Sequence, residues 1–324
     1  MVILYVMMST YKAKCGCPSR KQHLLACADI TVYNGPVRRR LPRVLIAFLF
    51  FSAVAAVSAA PRADLWPRWQ RNNPDSNAAV DHSRFTQFLS RYLITDDPSG
   101  VNLLPYSQVS AEDRNLLSAY VKDLQGVQVS NLNRSEQKAY WINLYNAFTV
   151  TLVLDNYPVD SIREINPGGG LFSGLFKSGP WDAKLLRVEG QRLSLNDIEH
   201  RILRPIWKDN RIHYAVNCAS IGCPNLQPVA YTAKNSDALL DKGAREYVNN
   251  PRGVTFTKDG SLLVSSIYDW YQTDFGGSVD GVIRHLRTYA GPQLAARLNS
   301  YSGELSFHYN WELNEPGNAP AVNG

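Results

Sequence analysis

The sequence predicts an α+β fold: a single domain with a buried central helix, several amphipathic helices and a small, mostly antiparallel sheet. Three observations predict it. The run EQKAYWINLYNAFTVTLVLDNYP, within 133–158, is apolar on nearly every face over a helical length, which places a helix inside a core. Short apolar runs flank Glu189-Gly190 and Lys258-Asp259-Gly260, turn-forming pairs that read as β-hairpins. Helical stripes separate the hairpins, which suits α+β layering better than a doubly wound parallel sheet.

In chain order, the first feature is a leader. Arg38, Arg39, Arg40 and Arg43 precede an apolar run from Val44 to Val57, and Val57-Ser58-Ala59 supplies small residues before Ala60. This is the layout of a secretory signal peptide over 37–59. The run is 14 residues long, under the ~18 that span a bilayer comfortably. A retained anchor is the alternative. The expectation is an exported protein, periplasmic or secreted, that starts at Ala60 and keeps no stable membrane span after cleavage. Residues 1–36 show no period or cap, and are expected to be a mis-annotated upstream stretch, with translation starting near Val37, or a disordered extension.

The leader also carries the charge. Of 34 Lys/Arg and 28 Asp/Glu in the 324 residues, eight and one fall in 1–59, leaving 26 against 27. The basic pI belongs to the leader, so no footprint for nucleic acid survives. Cys15, Cys17 and Cys27 fall there too, leaving the even pair Cys218 and Cys223 in an exported domain, where thiols oxidise.

Residues 60–105 read as a proline-containing arm and one helix, with Phe85, Phe88, Leu89 and Tyr92 at helical spacing. The main domain is expected over 106–313, with 314–324 as a tail. Ser110-Ala-Glu-Asp113 opens a helix with a capping box, and Gly126 closes it. Asn133 caps the central helix, which stops where Tyr157 meets Pro158. Asn143 and Asn146 share one face of it. They either hydrogen-bond loop backbone or face a pocket and orient a substrate.

Gly168, Gly169, Gly170, Gly174 and Gly179 match no phosphate-binding pattern, so they read as a flexible loop and imply no cofactor. Ser194-Leu-Asn-Asp197 opens a helix that carries Glu199 and His200 up to Pro205. Arg211 to Asn217 alternates like a half-buried strand and breaks into a loop, Cys218 to Leu226. Helices follow over 236–248, 266–274 and 279–289, with an edge strand within 307–313.

The motifs EQKAYWINLYNAFTV, YPVDSIREI, LSLNDIEHRILRP, RIHYAVNCASIGCPNL and YDWYQTDFGG, in this order, resemble the domain-of-unknown-function family numbered 547. The resemblance runs from about Ser110 to Tyr289, and YNWELN near the C-terminus also fits. The family occurs in bacterial proteins and in plant proteins fused to coiled coils. Membership implies no particular reaction. This chain differs from the plant members in its export signal and its lack of heptads.

Three chemistries fit the residues. In the first, the domain is a cysteine-dependent hydrolase or acyl transferase: Cys218 is the nucleophile, His200 its base, Glu199 a nearby acid, and the N–H groups of Ala219 to Gly222 an oxyanion hole. Strand alternation points His213 with Asn217 and away from Cys218, so His213 and Asn217, like Asn143 and Asn146, read as binding or orienting residues. In the second, Cys218 and Cys223 form a disulfide in a non-catalytic binding or scaffolding module of the cell envelope. In the third, Cys218 and Cys223 bind a metal with His200 or His213. An isolated Cys pair is weak support for that, and no metal ligand set is assigned. The partner is an unidentified substrate or envelope component.

Overall fold

The first α-helix, α1 (Ser83–Tyr92), buries Phe85, Phe88 and Leu89. In this computed structural model, residues 61–167 and 179–321 are described. The stretch expected to be a signal peptide, the residues before it and the glycine-rich stretch at 168–178 lie outside them. α2 (Ala111–Gln125) starts at Ser110, whose hydroxyl accepts the Asp113 N–H at 3.0 Å. It packs along α3 (Arg134–Asn156). At the start of α3, the Asn133 side chain accepts the N–H groups of Ser135 and Glu136. Every residue of α3 from Ala139 to Leu154 is buried, as its all-round apolar pattern requires. The helix ends at Tyr157, which takes the extended conformation that a following proline favours.

β1 (Leu186–Val188) and β2 (Gln191–Leu193) form the expected hairpin, with Val188 opposite Gln191. Both turn residues have positive φ, Glu189 at 44° and Gly190 at 78°, as a two-residue turn of this hand demands. Glu189 is not a glycine, and its carboxylate is held by the N–H and hydroxyl of Ser130, both at 2.7 Å. Ser194 and Asp197 then cap each other. A π-helical stretch (Asp197–Leu203) follows and runs into α4 (Arg204–Trp207). The helix therefore continues past Pro205. Pro205 lacks the N–H that would bond the Arg201 carbonyl, and that carbonyl accepts the Trp66 N–H instead, at 3.0 Å.

Arg211 to Asn217 is not a strand. Asn210–Tyr214 is a 3₁₀ turn, and the chain then runs irregularly into the cysteine loop. Ile212, His213, Tyr214, Ala215 and Val216 are all buried, so apolar alternation carried no information about facing. The Arg211 guanidinium fixes this turn against Asp209 and against Asp241 of α5 (Ser236–Val248).

β3 (Val254–Phe256) and β4 (Leu262–Ser265) form the second hairpin. α6 (Ile267–Trp270) and a 3₁₀ turn (Gln272–Phe275) stand where one longer helix was expected. α7 (Val279–Tyr289) is followed by α8 (Pro292–Asn299), which was not anticipated, and by β5 (Leu305–His308). β5 lies parallel to β4 at the sheet edge, giving the order β3-β4-β5. The architecture is α+β with mostly antiparallel small sheets.

Two large apolar clusters, with a small third of Val101, Leu103 and Ile221, make the core among the described residues. One surrounds α3 and runs from Trp69 to Leu313. The other gathers Tyr214, Tyr247, Tyr268, Phe275 and Leu286. Ile212 belongs to the first and Tyr214 to the second, so the 3₁₀ turn joins them. Among the described residues, no helix is long and apolar enough to cross a membrane.

Candidate functional site

The cysteine loop is held from three sides. From α3, Asn146 donates to the Ala215 carbonyl and accepts the Asn217 N–H, both at 2.8 Å. Asn143 does the same with the two backbone groups of Tyr231. Within the loop, Asn217 accepts the Ala219 N–H and donates to the Pro224 carbonyl. This eases the turn at Ala219, whose φ is 58°. From the C-terminal segment, the Asn310 and Glu312 carbonyls accept the N–H groups of Gly222 and Ile221, and the Asn314 N–H donates to the Ala219 carbonyl. These asparagines thus spend their amides on backbone, which keeps the loop rigid. The N–H groups of Ala219, Ile221 and Gly222, expected to form an oxyanion hole, already have acceptors.

Cys218 and Cys223 are joined in a disulfide, with Cα atoms 6.2 Å apart. Cys223 is buried and Cys218 half-buried. The Tyr309 hydroxyl lies 3.0 Å from Cys218 Sγ and 3.2 Å from Cys223 Sγ, and Ser220 Oγ is 3.2 Å from Cys218 Sγ.

Glu199, His200 and His213 belong to a separate charge cluster. His213 Nε2 is 2.8 Å from Asp274 Oδ2, and its Nδ1 is 3.6 Å from Glu199 Oε1, a charge contact longer than a hydrogen bond. Its ring stacks on Tyr271, 4.3 Å between centroids. Arg204 donates to the same Asp274 oxygen at 2.6 Å and lies over the Tyr271 ring. It also donates to His200 Nδ1 at 3.0 Å. Guanidinium can only donate, so that nitrogen is the acceptor and its lone pair is taken. Burial then pushes the His200 pKa down to about 4, and the Arg204 charge adds to the effect.

Burial alone would raise the Glu199 pKa. The positive charge of His200 when protonated, the His213 contact and Arg204 outweigh it and bring the carboxyl to about 2. Asp274 is likewise held low: burial opposes ionisation, but His213 and Arg204 overcome it. Among the described residues, no hydrogen bond or ion pair joins Cys218 to His200, Glu199 or His213. No group of three or more His, Cys, Asp or Glu there is placed to hold a metal ion.

The sequence reading missed Arg204, Asp274, Tyr271 and Tyr309. Arg204 was within reach, since it lies one helical turn after His200 on the same face. The others approach from 50 to 90 residues away, and no local pattern marks them.

Residues 129–248 match the DUF547 family model. The family is described as a protein of unknown function. The DUF547 match is narrower than the resemblance read from the motifs. It spans α3 to α5 and holds the cysteine loop, Glu199, His200, Arg204 and His213. Tyr271, Asp274 and Tyr309 lie beyond it. Comparison with curated proteins and with solved structures gives no match.

An open cleft of about 490 Å³ lies elsewhere, lined by Val80, Asp81, Arg84, Tyr120, Asp123 and Leu132 among others. It shares no residue with the cysteine loop or the charge cluster. Tyr120 on its wall is bound to buried His82 at 2.6 Å.

Proposed function

We propose that the chain is an exported, non-catalytic binding module of the cell envelope, with the Cys218–Cys223 disulfide closing its ligand-side loop. The basic, apolar and small-residue run at 38–59 supports export. One observation carries the binding reading: Trp181, Trp270, Tyr309 and Trp311 form a half-buried aromatic patch beside the disulfide. Trp311 touches the other three rings at centroid distances of 4.6 to 5.6 Å.

The indole N–H groups of Trp181, Trp270 and Trp311 have no acceptor among the described residues. None of them is sealed from water as Trp69 Nε1 is. Flat rings with outward donors suit a polysaccharide, whose C–H faces stack on aromatics while its hydroxyls accept from indoles. The test is tryptophan emission titrated with soluble cell-wall glycan fragments. Saturable quenching is expected, weakened by about tenfold or more in Trp311→Ala, the range of a central aromatic anchor. No quenching, or equal affinity in the variant, removes this reading.

A second reading keeps Cys218 as a nucleophile in a reduced form of the protein. The two hydroxyls near its sulfur favour it, because donors stabilise a thiolate. It predicts that thiol-reduced protein alkylates at Cys218 faster than an ordinary cysteine at neutral pH, and that His200→Ala slows this. Since His200 Nδ1 is engaged by Arg204, an unchanged rate in His200→Ala is the outcome the present geometry favours, and it would end the dyad.

A further inference from the structure

We propose that the Cys218–Cys223 disulfide is an exchange site at which low-molecular-weight thiols form a mixed disulfide on Cys218 and release Cys223. The proposal rests on the disulfide reading above and adds a direction to it.

The two sulfurs differ in ways that set the direction. Exchange proceeds by attack of a thiolate on an accessible sulfur, and the other sulfur departs with the electron pair. Cys218 is half-buried, whereas Cys223 is 4% exposed. An incoming thiol therefore reaches Cys218. The leaving sulfur is prepared to carry charge: Cys223 Sγ accepts the Cys218 N–H at 2.8 Å and lies 3.2 Å from the Tyr309 hydroxyl. Hydrogen bonds to a developing anion are stronger than those to a neutral atom, so the Cys218 N–H favours departure of Cys223. The Tyr309 hydroxyl, 3.0 Å from Cys218 Sγ, is within reach of whichever sulfur takes the charge.

Tyr309 is free to make this donation. Ser220 Oγ donates to Tyr309 Oη at 3.2 Å, which leaves the phenolic proton for a sulfur. In the resting disulfide the phenolic O–H lies within reach of both sulfurs, and on exchange its hydrogen bond turns to the Cys223 thiolate without giving up the proton. Burial keeps the phenol protonated well above its usual range.

The step balances. A thiolate RS⁻ forms an S–S bond to Cys218 Sγ, the Cys218–Cys223 bond breaks, and its electron pair remains on Cys223 Sγ. The reverse attack by Cys223 restores the ring and expels RS⁻. The loop does not drift meanwhile, because Ile221 and Gly222 stay bonded to the Glu312 and Asn310 carbonyls. Cys223 thus remains poised to return.

The experiment uses the full chain, oxidised, with reduced glutathione as the probe, quenched in acid and mapped by peptide mass. Before thiol is added, neither Cys218 nor Cys223 should alkylate under denaturing conditions. If both do, the disulfide itself is absent and both readings fall. After addition, glutathione is expected on Cys218, with Cys223 open to alkylation. Adducts on Cys223, an even split, or no adduct at all overturn the directional proposal while leaving the disulfide intact. Tyr309→Phe keeps the ring and removes the donor, and should slow adduct formation about tenfold. Ser220→Ala, which frees the Tyr309 hydroxyl from its donor, should slow it by a smaller factor. Wild-type rates in both variants would show that the hydroxyls do not assist.

Discussion

Replacing Trp141 with alanine should destabilise the protein by about 3–5 kcal/mol, the range for a large buried aromatic. Trp141 sits in the middle of α3 at 1% exposure, with the Trp69 ring edge-on at 5.0 Å and Tyr140 at 4.9 Å. Truncation removes the aromatic contact with the N-terminal arm, which Arg134 and Gln137 also hold by hydrogen bonds, and leaves a void that rigid neighbours cannot fill. Denaturant unfolding followed by far-ultraviolet dichroism measures it. Domains of this kind have only about 5–15 kcal/mol to lose, so the variant should unfold at much lower denaturant. A loss under about 1 kcal/mol would show that the helix is peripheral.

Acidification should weaken the fold between about pH 6.5 and pH 4. His82, His200 and His285 are each buried, and burial lowers each pKa from 6.5 to about 4. The unfolded chain takes up these protons near pH 6.5, whereas the folded chain resists until about pH 4. The stability from keeping them neutral is thus whole above pH 6.5 and lost as pH falls through 4. Each shift is worth on the order of a few kcal/mol, at about 1.4 kcal/mol per pH unit. Below about pH 4 the low-lying carboxyls Glu199 and Asp274 extend the loss, since the unfolded chain protonates them in the ordinary carboxylate range while the folded cluster holds them ionised. Melting temperature measured from pH 8 to pH 4 tests this. His285→Gln should flatten the slope, because Gln takes no proton in either state. A flat profile above pH 4 would contradict the burial argument.

Local signals were legible wherever the physics was local. The Ser110 and Asn133 caps, the hydrophobic length of α3 and the two hairpin turns are fixed by neighbours in sequence, and each stands where it was read. The segment around His213 was misread because alternation reports facing only when one face is wet. Here the whole run is sealed between two clusters of core, and a 3₁₀ turn satisfies it without strand partners. The binding role sketched for Asn143 and Asn146 had a structural alternative, that for Asn217 had none, and the contacts of all three are with backbone. The charge cluster was half visible: Glu199, His200 and Arg204 lie within two turns of one helix, but Asp274 and Tyr271 arrive from beyond the second hairpin. Nothing in sequence spacing announces a partner that tertiary packing supplies.

The stitching of the cysteine loop to residues 310–314 also bears on how this domain can be cut. The DUF547 match stops at 248, yet the loop's Ala219, Ile221 and Gly222 take their backbone partners from the far C-terminal segment. The core around α3 likewise draws on Trp69 and Phe85 before the match and Leu313 after it. A fragment trimmed to the matched residues would leave those amides and carbonyls without partners and α3 without part of its wrapping. Sequence kinship and mechanical integrity thus have different borders in this chain, and the wider one is set by the closing strand of polypeptide that returns to the disulfide.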